Sequence, residues 1–274
     1  MFKNAIINIL TEINEMVASM GENAGLLETL ESWNSTLNLY TQQINNAVIK
    51  PVAYTVLAAL LIVELYAVSQ RIAMNGGGNQ YAAQQVFTSL IKMWISKMVV
   101  DYSYDVVVAI YGIFADITRG IADFVGSGQI SATMDVTTLT NNLPTGIGGQ
   151  LSTLISLMIA QFIIRMVTIV VTTVIAARYI ELYVYTAVAP LPITTFASAE
   201  LHTIGLNFLK NFAAVSLQGA LIYLVIGFYP ALFAGLSTAE SASKAAWEMC
   251  GLTVLLAIAV FTCGRWAKSI MAAA

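Results

Sequence analysis

Residues 151–177 read LSTLISLMIAQFIIRMVTIVVTTVIAA, with Arg165 as the single charged side chain. A helix rises 1.5 Å per residue, so about 20 residues cross a hydrocarbon core of roughly 30 Å, and this stretch can span a bilayer alone. Lipid offers no partner for backbone N–H and C=O groups, so the crossing must be helical. A β-barrel would need tilted segments of about 9–11 alternating residues, whereas the apolar run here is continuous. The whole chain agrees: of 274 residues 58% are hydrophobic and 10% charged, and the mean hydropathy is +0.77. A soluble domain carries roughly 25% charge.

Comparable stretches lie on both sides. Residues 51–69 form a span with Pro51 in its opening turn, where a missing N–H is tolerated. Arg71 and the glycine run Asn75–Asn79 close it. The mixed stretch Gln84–Lys97 lies at the interface and bends into a second span, 98–117. From Thr118 to Gln150 the Gly, Ser, Thr and Asn content, with Pro144, reads as an aqueous loop. Residues 151–177 are the third span, and 211–234 and 247–263 are two more. Between them, 179–197 is apolar but carries Pro190 and Pro192, which break a straight helix, so it is expected as a broken or re-entrant hairpin.

Residues 1–49 differ from the rest. Ile6, Leu10, Ile13, Val17 and Met20 recur at helical spacing with Glu12 and Glu15 on other faces, and Leu26, Leu30, Trp33, Leu37, Tyr40, Ile44 and Val48 form a second seam. Met1–Leu10 lacks the separate basic and apolar regions of a signal peptide. The expectation is an all-α polytopic membrane helix bundle: amphipathic extracytoplasmic helices in 1–49, then a transmembrane domain in 50–274 with about five spans and one hairpin. Lysine and arginine favour the cytoplasmic side. With 179–197 turning back, Arg71, Lys92, Lys97, Arg178, Lys210, Arg265 and Lys268 all face the cytoplasm. This predicts a multi-pass protein of the cell membrane, N-out and C-in.

An ionisable group at membrane depth costs roughly 2.5–3.5 kcal/mol on insertion scales and needs a partner or water. Gln161, Arg165, Thr168 and Thr172 share one face of the third span, as a pathway lining, a polar subunit contact or an internal packing bridge. Lys97, Asp101 and Asp105 recur every four residues, and Glu64 and Arg71 lie two turns apart; such pairs can neutralise one another, as capping or packing contacts or, alternatively, as parts of a proton relay, which no histidine or second buried carboxylate cluster completes. Arg178 and Glu181 make an i,i+3 pair that anchors the entry of the double-proline segment.

Catalysis finds little footing. His202 is the only histidine, which argues against a metal site or a histidine triad, and Cys250 and Cys263 have no CxxC-type neighbour. The glycine run at 75–79 lacks the Lys-Ser/Thr of a phosphate loop, and the net charge of −3 has no basic run behind it. No enzyme activity, cofactor or metal is expected.

The order of several stretches carries a resemblance. Lys50-Pro-Val-Ala53 opens a span that closes on Glu64-Leu65 and Arg71. Leu90-Ile-Lys-Met-Trp94 precedes Asp101–Tyr111, Arg178–Phe196 holds Ala189-Pro-Leu-Pro192, and Asn211–Leu224 follows. Together they cover most of the chain, which resembles the TrbL-like family, polytopic membrane subunits of type IV secretion and conjugation machines, in its compact Gram-positive form. The resemblance implies a non-enzymatic channel or scaffold subunit that helps pass single-stranded DNA with its relaxase, or protein, across the membrane. It also implies ring assembly with copies of itself and other secretion subunits, energised by separate ATPases. The chain lacks the large soluble extension of longer Gram-negative members. The alternatives are a small secondary transporter or ion channel, for which no internal repeat is seen, and an oligomerising membrane scaffold or lysis-type protein.

Overall fold

The computed structural model describes residues 2–19, 25–74, 79–125, 146–198, 200–234 and 242–273, and every regular element among them is helical. In chain order these are α1 (Phe2–Ser19), α2 (Leu30–Trp33), α3 (Ser35–Ile44), α4 (Lys50–Met74), α5 (Asn79–Asp101), α6 (Ser103–Phe124), α7 (Ile147–Val188), α8 (Pro190–Thr194), α9 (His202–Ala234) and α10 (Ala242–Ile270). Among the described residues four helical stretches are long and apolar enough to cross a membrane, and the bent pair α5–α6 is a fifth candidate. The protein is an all-α polytopic membrane helix bundle.

Local chemistry sets the boundaries. Thr29 caps α2: its Oγ1 accepts from the Ser32 N–H at 3.1 Å while Ser32 Oγ accepts from the Thr29 N–H at 2.8 Å. Asn34 Oδ1 accepts from the Leu37 N–H at 2.9 Å and starts α3. A π turn, Asn45–Ile49, joins α3 to α4. It falls just before Pro51, which has no N–H to give the preceding turn and whose ring crowds that turn's carbonyl.

Several elements differ from the spans expected from sequence. α7 is one helix of 42 residues, about 63 Å long, and unites 151–177 with the first ten residues of 179–197. No proline or glycine stands between Gly149 and Pro190, and charge at Arg178 and Glu181 does not stop a helix. The prolines act only at Ala189, where α7 gives way to α8 and a 3₁₀ turn, Thr195–Ala197. The expected span 98–117 straddles a bend of 67° at Tyr102. At that bend Lys50 Nζ takes the Asp101 carbonyl at 2.7 Å, a side chain entering the helical ladder. The expected loop 118–150 is helical at both ends, while its middle, 126–145 with Pro144, lies outside the described residues, as do 75–78 of the glycine run and Met20 of the first seam.

The chain divides into two compact units. The first takes in Met1–Glu28, Phe114–Arg178 and Leu217–Ala267. Its core includes Ile6, Leu10 and Ile13 of α1 with Leu157 and Ile164 of α7, all fully buried. The Tyr229 and Thr253 hydroxyls bond between α9 and α10. The second takes in Thr29–Ile113, Tyr179–Ser216 and Lys268–Ala274. Here Trp33 stacks on Tyr179 with ring centroids 4.6 Å apart, and the Tyr183 hydroxyl donates to the Leu30 carbonyl.

Candidate functional site

The first polar cluster lies in the first unit. Its apolar stripe packs α1 with Glu12 turned to α7, where Gln161 Nε2 donates to Glu12 Oε2 at 2.6 Å and Arg165 Nη2 pairs with Glu12 Oε1. Gln161 and Arg165 are one helical turn apart, so a single carboxylate reaches both. The pair is not enclosed: the Arg165 side chain is 57% exposed and Glu12 45%. Around it on α7, Met158, Phe162, Met166 and Ile169 also face outward. A charged pair therefore stands open on an otherwise apolar surface.

Thr168 and Thr172 belong to the same face but engage no other element. Thr168 Oγ1 donates to the Ile164 carbonyl at 2.9 Å, and Thr172 Oγ1 to the carbonyls of Ile169 at 2.9 Å and Thr168 at 3.0 Å. Such back-bonds hide a hydroxyl inside its own helix.

The second cluster lies in the second unit, where α4 meets α5. Asp101 Oδ2 pairs with Lys97 Nζ at 2.9 Å, Asp101 Oδ1 accepts from the Tyr54 hydroxyl, and Lys50 holds the Asp101 carbonyl. Asp105 sits past the bend on α6, exposed and apart from this cluster. Beside it the Tyr104 hydroxyl donates to Asn38 Oδ1 at 2.8 Å and accepts from Gln42 Nε2 at 2.9 Å. Asn45 Nδ2 donates to the carbonyls of Thr186 at 2.9 Å and Ala187 at 3.3 Å. The opening of α4 thus lies beside the end of α7.

Other expected pairs do not form. Glu64 and Arg71 make no bond to one another, and Arg178 and Glu181 form no ion pair: Glu181 is exposed while Arg178 is buried. The Arg178 guanidinium occupies the space at Gly219 of α9, where any Cβ would collide with it. Pro190 is buried at the start of α8.

Glu12, Asn38, Gln42, Asn45, Lys50, Tyr54, Tyr104 and Gly219 are participants to which sequence reasoning gave no part in a polar cluster. Arg165 in mid-span signals an acidic partner, and no carboxylate lies within two turns on its own helix. That signal points elsewhere without saying to which acid. Among the described residues no group of three His, Cys, Asp or Glu is placed to hold a metal ion, and Cys250 and Cys263 are free and buried on α10. The arrangement offers fixed charge and hydrogen-bonding groups at an apolar surface.

A family model described as TrbL/VirB6 plasmid conjugal transfer like protein matches residues 13–190, more than half of the chain. No curated protein and no solved structure matches it.

Proposed function

This chain belongs to the TrbL/VirB6 plasmid conjugal transfer-like family of type IV secretion and conjugation membrane subunits, and on that premise we propose that it is a channel or scaffold subunit through which single-stranded DNA with its relaxase, or protein, crosses the cell membrane. In this reading copies of the chain form a ring with other secretion subunits, and separate ATPases supply the energy. The family is one of structural membrane subunits.

The observation that carries the proposal is the open pair of Glu12 on α1 with Arg165 on α7. Exposed to acyl chains, the pair would keep its mutual attraction but lose its hydration. A hydrated lumen or a neighbouring subunit supplies what lipid cannot. Arg265 and Lys268 at the end of α10 support a cytoplasmic carboxyl terminus. For the amino-terminal part we revise the expected side: the bonds from Asn45 to Thr186 and Ala187 support placing residues 29–49 on the side where α7 ends.

The bend between α5 and α6 favours a second reading, because secondary transporters place broken helices at their substrate sites. One experiment separates the two. Transfer frequency is measured in a conjugating host lacking this gene, with the chain supplied in trans, and the purified protein is weighed in nanodiscs by native mass spectrometry. Loss of transfer on deletion, its return on complementation, and a closed oligomer are expected. Undiminished transfer without the chain, or a monomer enclosing a solute, sinks the channel reading.

A further inference from the structure

α3 is amphipathic, and it is set the opposite way round from a helix resting on a protein core in water. Asn38 and Thr41, with Asn45 in the following turn, are its buried positions. Leu37, Tyr40, Ile44 and Val48, at three- and four-residue spacing, are exposed. The inward groups are held by protein: Asn38 by Tyr104, and Asn45 by the carbonyls that end α7. Gln42, next to them, is held by Tyr104 as well.

Two further observations say what covers the outward stripe. No charged residue stands between Glu31 and Lys50, so the stripe carries nothing that would fix the register of a protein partner. It also runs on into exposed Val52 and Val56 of α4, and residues 35–74 together make one candidate membrane span. A surface continuous with a spanning helix meets the same solvent.

We infer that the outward stripe of α3 is a lipid-docking surface, and that α3 lies at the bilayer boundary as the leading part of α4. Its polar side is turned to the protein, and Leu37, Tyr40, Ile44 and Val48 rest among acyl chains. Water covers only the remaining face, where Gln43 and Asn46 are exposed beside Leu39. The sequence periodicity alone suggests a seam packed on the membrane domain or between subunits, so this reverses which side is hidden. It does not depend on what the secretion machine moves.

The test uses the full-length chain in nanodiscs of phosphatidylethanolamine and phosphatidylglycerol, with Cys250 and Cys263 replaced by alanine and one cysteine at a time introduced from 36 to 49. Each is spin-labelled, and its access to oxygen and to a water-soluble nickel chelate is read by power saturation. High oxygen and low nickel access at 37, 40, 44 and 48, with the reverse at 43 and 46, is expected. Nickel access along the stripe overturns the inference in favour of water. Shielding from both reagents overturns it in favour of a second copy of the chain. The unmodified protein with a photoactivatable phospholipid gives an independent reading: adducts on 37–48 support lipid contact, and adducts confined to α4 and beyond refute it.

Discussion

α1 and α3 have the same pattern on paper, an apolar stripe against a polar one, and the structure mounts them in opposite senses. α1 buries Ile6, Leu10 and Ile13 and leaves Glu12 to pair with Arg165 at the surface. α3 buries Asn38 and Thr41, carries Asn45 inward behind them, and leaves Leu37, Tyr40 and Ile44 outside. Periodicity therefore reports that a helix has two faces and is silent on which one is inside. That choice belongs to the medium around the helix and to whether the neighbouring protein offers carbonyls and hydroxyls or methyl groups.

The contrast is broken most forcefully in α1. Leu10→Ala removes a fully buried side chain, and a loss of about 2–5 kcal/mol is expected, read as thermal unfolding in detergent and as earlier protease cutting within residues 1–28. An unchanged melting curve would mean that α1 is not seated by its apolar stripe. Next comes Asn45→Ala, which strips two buried carbonyls of their donor and should cost about 1–3 kcal/mol, more than any single apolar truncation on the outer side of α3. If it proves neutral, the inward polar face does not hold α3.

Smaller still is the Glu12–Arg165 coupling. Both partners are about half exposed, and solvent screening holds such pairs to roughly 0.2–1 kcal/mol in detergent. A double-mutant cycle through Glu12→Gln and Arg165→Gln measures it, and transfer frequency in the same variants reads any larger effect in the assembled membrane. The least effect is expected from Ile44→Ala, within about 0.5 kcal/mol in detergent, because that side chain lies outside already. A cost like that of Leu10→Ala would place a protein neighbour over α3.

The membrane class and the number of long apolar helices were legible because they depend on composition and run length. Lys97 and Asp101 were legible as an i,i+4 pair. Asp105 continues the same spacing, yet the bend at Tyr102 takes it out of register. The full extent of α7 is not legible, because Arg178 and Glu181 read as edge markers, while the helix responds only to the prolines after Val188. Glu12 as the partner of Arg165 was out of reach for another reason. The two are separated by 153 positions, and nothing local distinguishes Glu12 from Glu15. Long-range partners are chosen by packing, which leaves no periodic trace.

The space that Gly219 leaves for the Arg178 guanidinium has a historical consequence. Each residue sets the terms on which the other can vary. A methyl group at 219 requires the guanidinium to move aside or the arginine to be shortened, and shortening the arginine first opens a hole that glycine cannot fill. Drift at the two positions is therefore coupled. Among descendants of a common ancestor, a larger residue at 219 should be found in company with a smaller one at 178.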